Sequence, residues 1–161
     1  LARKIGMSSY RSSVEWEQRF GNQKTDTSAH RPFAYEFAIE TYLETVAERF
    51  VHGFDANAYL YLSRAMDWFD VAQHGKSVED AFGRIAAKRV EVIGITSDTL
   101  FPLRQQEQLT AALQAAGVTT QLHVVESQKG HDAFLVDTEK FGPILSGFLA
   151  APRSKRLSAV S

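Results

Sequence analysis

The sequence predicts an α/β fold in which a helical half precedes a short β-α-β-α unit. Two observations carry this. Apolar residues recur at helical spacing up to about residue 88, and the period then shortens to a β-branched run, "RVEVIGI", followed by a helix bounded at both ends and a second strand.

In the first half, Ser12 with Glu15 three residues on forms a capping-box start for "VEWEQRF", and Gly21 is a natural stop. The polar stretch "NQKTDTSAHRP" reads as a loop. From Phe33, the apolar positions Phe37, Leu43, Val46, Ala47 and Phe50 recur at helical spacing and mark a helix that runs to Gly53. Asp55 caps a third helix, "ANAYLYLSRAMDWFDVAQH", ending at Gly75, and Ser77 with Asp80 opens a fourth, "VEDAFGRIAAK".

In the second half, the strand 89–95 empties into the polar "TSD". Pro102 near the first turn and Gly117 past the last delimit the helix in "FPLRQQEQLTAALQAAG". "VTTQLHVVE" is the second strand, and Phe141, Ile144, Leu145, Phe148 and Leu149 build the apolar face of a last helix, in which Pro143 predicts a late start or a kink. The tail 151–161 reads as flexible and solvated.

Composition excludes several classes. The 161 residues are 44% hydrophobic, enough for one core of domain size. With 18 Lys and Arg against 19 Asp and Glu, nothing advertises nucleic acid or an anionic membrane. The absence of cysteine removes disulfides, thiolate metal clusters and a cysteine nucleophile, and fits a cytoplasmic protein. No apolar run is long enough to span a bilayer, and "LARKIGMSSYRSS" lacks the pattern of a signal peptide.

A strand, a crossover helix and a strand imply a parallel pair with a right-handed connection. Ligand sites of open α/β sheets gather beyond the carboxyl ends of the strands. Asp98 leaves the first strand and His131 the second, so both emerge at one sheet edge. An aspartate that accepts the imidazole Nδ1 proton leaves Nε2 free as a base, the logic of a catalytic dyad. Taken singly, Asp98 is more often a turn former and His131 a structural loop residue; the pairing is what raises the catalytic reading. His30, His52, His74 and His123 have no such pairing and read as structural, and no metal-ligand spacing is present. The chain contains no Gly-x-Ser-x-Gly elbow, and Ser8, Ser9, Ser12 and Ser13 read as helix-start residues, so a nucleophile is expected upstream of Leu1.

Four stretches, "LARKIGMSSYRS", "FDANAYLYLSRAMDWFD", "ITSDTLFP" and "GHDAFLVD", closely resemble the C-terminal part of the homoserine O-acetyltransferase family, which includes serine O-acetyl- and O-succinyltransferases. The resemblance implies the C-terminal portion of an α/β-hydrolase fold, its last parallel strands and helices preceded by a helical lid. It divides the chain into a lid region with a substrate-binding start at 1–87, the end of the core at 88–150, and the tail. It implies an O-acyltransferase with acetyl-CoA or succinyl-CoA as co-substrate and no bound cofactor, L-serine or L-homoserine as acceptor, and a ping-pong route through an acyl-serine. Asp98 matches the triad acid and His131 the base; Asp132 matches the residue that holds the acceptor's amino group, Arg3 the partner of its carboxylate, and Tyr10 a pocket tyrosine. The expected partners are the N-terminal part of the same enzyme and a second copy in a homodimer. Thr99 stands where homoserine-specific members commonly carry tryptophan, which tilts the acceptor toward serine. An esterase on the same fold and a helical interaction module are the competing readings.

Overall fold

A computed structural model describes residues 1–25 and 34–150. His30, most of the predicted polar loop and the tail lie outside the described residues. Eight α-helices and two strands follow one another among those described: α1 (Ala2–Tyr10), α2 (Ser13–Arg19), α3 (Ala38–Gly53), α4 (Ala56–Trp68), α5 (Val78–Gly83), β1 (Val90–Ile95), α6 (Leu103–Ala115), β2 (Thr120–Val125), α7 (Ala133–Val136) and α8 (Thr138–Ala150).

β1 and β2 pair in parallel, in register from Val90 with Thr120 to Ile95 with Val125. Successive side chains alternate between the sheet's two faces, so each strand feeds two cores. On one face Val92 packs with Leu113 of α6 and with Val118, joined by Phe82, Val90 and Leu122. On the other, Ile95 and Val125 pack with Ala133 and with Phe141 of α8, joined by Ile93 and Ile144. A side chain at Gly94 would meet Leu103 Cδ1 at 2.5 Å, so glycine is what lets α6 lie close on β1.

The caps follow the sequence, with one diversion. Ser12 Oγ accepts from Glu15 N at 3.1 Å, Asp55 from Ala58 N and Ser77 from Asp80 N. Glu15 does not complete its box by reaching back to Ser12: its carboxylate goes to Arg11 and Lys129 instead. Around the undescribed segment, Lys24 and Phe37 form an isolated antiparallel bridge, which closes the ends of the loop.

Several helices differ from expectation, among them α3, which starts at Ala38 rather than Phe33. Residues 2–10, not assigned an element from sequence, form α1. Ile5 is exposed and only Met7 is buried, so the helix contributes little to either core. The expected third helix breaks after Trp68, where Asp70 turns its carboxylate onto Ala72 N and starts a short 3-10 turn, Val71–His74. The fourth stops at Gly83 rather than running to Lys88, because the chain must turn there to enter β1. Pro143 lies inside α8, which begins five residues earlier at Thr138.

Lys4 pins α1 on α3 by donating to Glu44, which also accepts from Tyr35; the two hydrogen bonds hold the Glu44 carboxyl below its ordinary range. α4 buries none of its residues, and Leu60, Tyr61, Met66 and Trp68 are exposed. No helix among the described residues is long and apolar enough to cross a membrane.

Candidate active site

Asp98 and His131 meet at the carboxyl end of the parallel pair. β1 ends at Ile95, and its last residues hand Asp98 into a tight turn in which Asp98 Oδ1 accepts from Leu100 N at 2.8 Å and Phe101 N at 2.9 Å. The second oxygen, Oδ2, lies 2.8 Å from His131 Nδ1. Asp98 is 7% exposed, yet all its hydrogen bonds come from donors suited to a carboxylate, so burial does not leave the charge unsatisfied. With Nδ1 committed to Asp98, the tautomer that donates there leaves Nε2 as the acceptor.

The imidazole sits among rings. Phe101, Phe134 and Tyr10 have centroids 5.1, 5.6 and 5.9 Å from that of His131. These contacts fix the ring plane without competing for Nε2, and the His131 side chain keeps 22% of its surface exposed. A cleft of about 340 Å³ opens beside the dyad, lined among others by Ile95, Asp98, Phe101, His131 and Phe141.

The turn that carries His131 is held in place from both sides. Gly130 has φ +68°, a conformation side chains rarely adopt, and a Cβ there would lie 2.6 Å from Ser12 N and 2.8 Å from Arg11 Cα. Glycine therefore lets this turn press on the α1–α2 junction. Gly130 N donates to Ser97 Oγ at 3.0 Å, which ties the turn to the loop of Asp98. Ser12 Oγ donates to Gln128 O, and Ser127 Oγ donates to Asp137 Oδ2 at 2.6 Å.

Tyr10 and Asp132 lie beside the same histidine, and Arg3 is linked to it through the Tyr10 ring. The Arg3 guanidinium carbon stands 4.8 Å from the Phe50 ring centroid and 5.5 Å from that of Tyr10, the ring that in turn neighbours His131. Among the described residues no carboxylate pairs with Arg3, and its buried Nε has no hydrogen-bond partner. Arg3 also lines the apolar cleft between α1, α3 and α4, with Phe50, Phe54 and Tyr59. Asp132 follows His131 directly, and its Oδ2 lies 3.6 Å from Arg11 Nη2. Sequence reasoning missed Arg11. Its four-residue spacing to Glu15 was a readable signal of an ion pair, but its reach to Asp132 depends on a fold contact across most of the chain.

The other histidines among the described residues stand elsewhere. His123 Nε2 pairs with Glu91 at 2.7 Å across the sheet, His74 packs on Phe69, and His52 is exposed. Thr99 Oγ1 donates to Ser9 O at 3.2 Å, linking the loop of Asp98 to α1.

No protein-family model matches the chain. Among curated proteins it is 49% identical over 152 residues to a serine O-succinyltransferase of Frateuria aurantia, covering 92% of this chain and 41% of that protein. It is 51% identical over 154 residues to one of Litchfieldella anticariensis, covering 93% of the chain and 42% of the relative. The chain thus spans about two fifths of the length of the curated relatives it matches. Among solved structures, homoserine O-acetyltransferase from Bacillus anthracis superposes with TM-score 0.77 at 22% identity, over 92% of this chain and 40% of that one. A crystallised esterase superposes with TM-score 0.71 at 19% identity, over 91% and 40%. These two likenesses establish an α/β-hydrolase fold. With that fold and about half of its residues shared with the serine O-succinyltransferases over more than nine tenths of its own length, the chain is similar to a C-terminal part of the homoserine/serine O-acyltransferases.

Proposed function

We propose that this chain is the C-terminal part of a CoA-dependent O-acyltransferase that acylates the side-chain hydroxyl of L-serine or L-homoserine, with Asp98 and His131 as two members of its catalytic triad. The observation that carries the reading is the 2.8 Å contact between His131 Nδ1 and a buried Asp98 that also accepts two backbone hydrogen bonds, with the carboxylate of Asp132 next in the chain and the Arg3 guanidinium, which pairs with no carboxylate among the described residues, over the Tyr10 ring that neighbours the imidazole.

The chemistry divides among these groups. His131 Nε2 takes the proton of a serine hydroxyl supplied by the upstream segment, and the serine oxygen attacks the thioester carbonyl of the acyl-CoA. The thiolate leaves with that proton, and an acyl-serine ester remains. The acceptor's hydroxyl then attacks the ester; His131 takes its proton and returns it to the serine oxygen as the O-acyl amino acid forms. Throughout, Asp98 holds the tautomer and stabilises the imidazolium. A zwitterionic acceptor needs one cation and one anion at a fixed separation. Arg3 offers a forked donor to its carboxylate, Asp132 an acceptor to its ammonium, and Tyr10 a ring between them.

The names of the curated relatives favour serine as acceptor and succinyl-CoA as donor, and Thr99, at the position where the resemblance puts a tryptophan in homoserine-specific members, tilts the same way by reshaping the pocket. In the same reading the enzyme is cytoplasmic and dimeric, with the exposed apolar residues of α4 supporting a lid-to-lid contact. Hydrolysis by the same dyad, with water as acceptor, is the second reading, since an esterase shares the fold.

The complete enzyme, supplied with acetyl-CoA or succinyl-CoA and each amino acid in turn, is expected to release CoA thiol fastest with succinyl-CoA and L-serine, and to yield the O-acyl amino acid by mass. Thiol release that is indifferent to any amino acid would establish the hydrolase instead, and no release with any pair would sink the acyltransferase.

A further inference from the structure

A line of alternating charge joins the α1–α2 junction to the turn of His131: Lys129, Glu15, Arg11, Asp132. Lys129 Nζ donates to Glu15 Oε2 at 2.6 Å, Arg11 Nη1 to Glu15 Oε1 at 2.9 Å, and Arg11 Nη2 stands 3.6 Å from Asp132 Oδ2. The side chains of Glu15, Arg11 and Asp132 are 8%, 12% and 16% exposed, so solvent screens them far less than an open surface pair.

The guanidinium is a rigid plane, and holding one of its nitrogens on a buried carboxylate fixes where the other points. Glu15 is itself fixed, by Lys129 on one oxygen and by its place in the first turn of α2. Arg11 Nε is buried with no hydrogen-bond partner among the described residues, so the two outer nitrogens carry all its polar contacts. The close approach of Gly130 to Arg11 and Ser12 keeps the two segments together.

We propose that Arg11 is a positioning residue for acceptor binding: anchored on Glu15, it orients the Asp132 carboxylate through Oδ2 and leaves Oδ1 to receive the acceptor's ammonium group. The proposal rests on reading this site as an amino-acid acceptor pocket. The 3.6 Å separation is longer than a hydrogen bond, so Arg11 steers the carboxylate by charge without consuming its lone pairs. Without Arg11 the Asp132 side chain would have to be ordered by the acceptor itself, and that ordering weakens binding. Arg11 makes no hydrogen bond or ion pair with Asp98 or His131 among the described residues, so its effect should fall on acceptor affinity alone.

The test uses the complete enzyme and steady-state kinetics with the acceptor and the acyl-CoA varied separately. Arg11→Gln is expected to raise the acceptor KM about tenfold, the equivalent of one charged contact, while kcat and the acyl-CoA KM change by no more than about twofold. Asp132→Asn raises the acceptor KM by itself, and adding Arg11→Gln to it should raise it no further, because the arginine acts through the aspartate. Arg11→Lys keeps the charge but cannot fork between Glu15 and Asp132, so it should raise the acceptor KM by about threefold, and it serves if the glutamine variant does not fold.

An unchanged acceptor KM in Arg11→Gln, or in Arg11→Lys, overturns the assignment. So does full additivity with Asp132→Asn, or a loss spread equally over kcat and both KM values, as a purely structural residue would produce. A parent enzyme that acylates no amino acid overturns the acyltransferase reading and this assignment together; a failure confined to the Arg11 variants overturns this assignment alone.

Discussion

Asp98 and Asp132 flank the same histidine, and the protein surrounds them in opposite ways. Asp98 takes three hydrogen bonds, from His131 Nδ1 and from the amides of Leu100 and Phe101, and its side chain is 5% exposed. Among the described residues Asp132 has a single ion pair, at 3.6 Å, and its side chain is 16% exposed. Arg3 repeats the second pattern with the opposite sign: its charge lies over two rings and meets no carboxylate among the described residues. A charge that must hold a partner in one tautomer through turnover has its hydrogen-bonding capacity filled by the protein. A charge that must receive a ligand keeps capacity free, and the surrounding rings and the Arg11 ion pair fix its position without satisfying it.

The contrast is broken most severely at Asp98. Asp98→Asn in the complete enzyme is expected to reduce kcat by roughly four orders of magnitude, because the amide presents an N–H where the imidazole N–H must be accepted and so favours the wrong tautomer. Thermal unfolding should move little by comparison, since Oδ1 can still accept from Leu100 and Phe101. A variant that lost stability and kept its rate would place Asp98 among turn formers and erase the difference between the two carboxylates.

Arg3→Ala probes the open pattern. The loss of a charged hydrogen-bonded contact of about 1.5–3 kcal/mol corresponds to roughly a 10- to 150-fold drop in kcat/KM for the acceptor. Kinetics with varied acceptor and fixed acyl-CoA measure it. Equal losses toward the acyl donor would mean that Arg3 serves the apolar cleft it lines beside Phe50 and Tyr59, and not the acceptor.

The two patterns were unequally legible in the sequence. Asp98 and His131 could be paired because a strand, a bounded helix and a strand force a parallel pair, and chain direction alone then puts both loops at one edge. Pro102 and Gly117 made the crossover helix readable at both ends. Arg3, Tyr10 and Asp132 have no such local signature, and only resemblance singled them out. α1, which carries two of them, was not set apart as an element because nine residues with few large apolar side chains give little periodic signal, and Ser8 and Ser9 turn their hydroxyls back onto carbonyls of their own helix. The contacts that seat the His131 turn, Ser12 with Gln128 and Glu15 with Lys129, join residues more than a hundred positions apart, and no spacing rule reaches so far.

Gly130→Ala tests whether the seating of that turn matters to both patterns at once. A φ of +68° costs an L-residue about 1–2 kcal/mol before any clash, and here the new Cβ would lie 2.6 Å from the backbone nitrogen of Ser12. Denaturant midpoints should show a loss of at least that size. If the turn then lifts from the α1–α2 junction, acceptor binding should weaken as well, because Asp132 moves away from Arg11.

Ser12→Ala separates seating from chemistry with the smallest expected effect. Ser12 is 7% exposed and its hydroxyl serves both sides of the junction, accepting from Glu15 N at 3.1 Å and donating to Gln128 O. Replacing a serine cap by alanine costs about 0.5–2 kcal/mol, and the orphaned Gln128 carbonyl places this variant toward the upper end. Gly130, Lys129 and Arg11 still hold the turn, so His131 should keep its place and kcat should stay within about twofold of the parent while the unfolding midpoint falls. A tenfold loss of kcat at unchanged saturation would mean that the helix cap reaches the imidazole through Gln128, and the line between the saturated dyad and the structure that seats it would have to be redrawn to include α2.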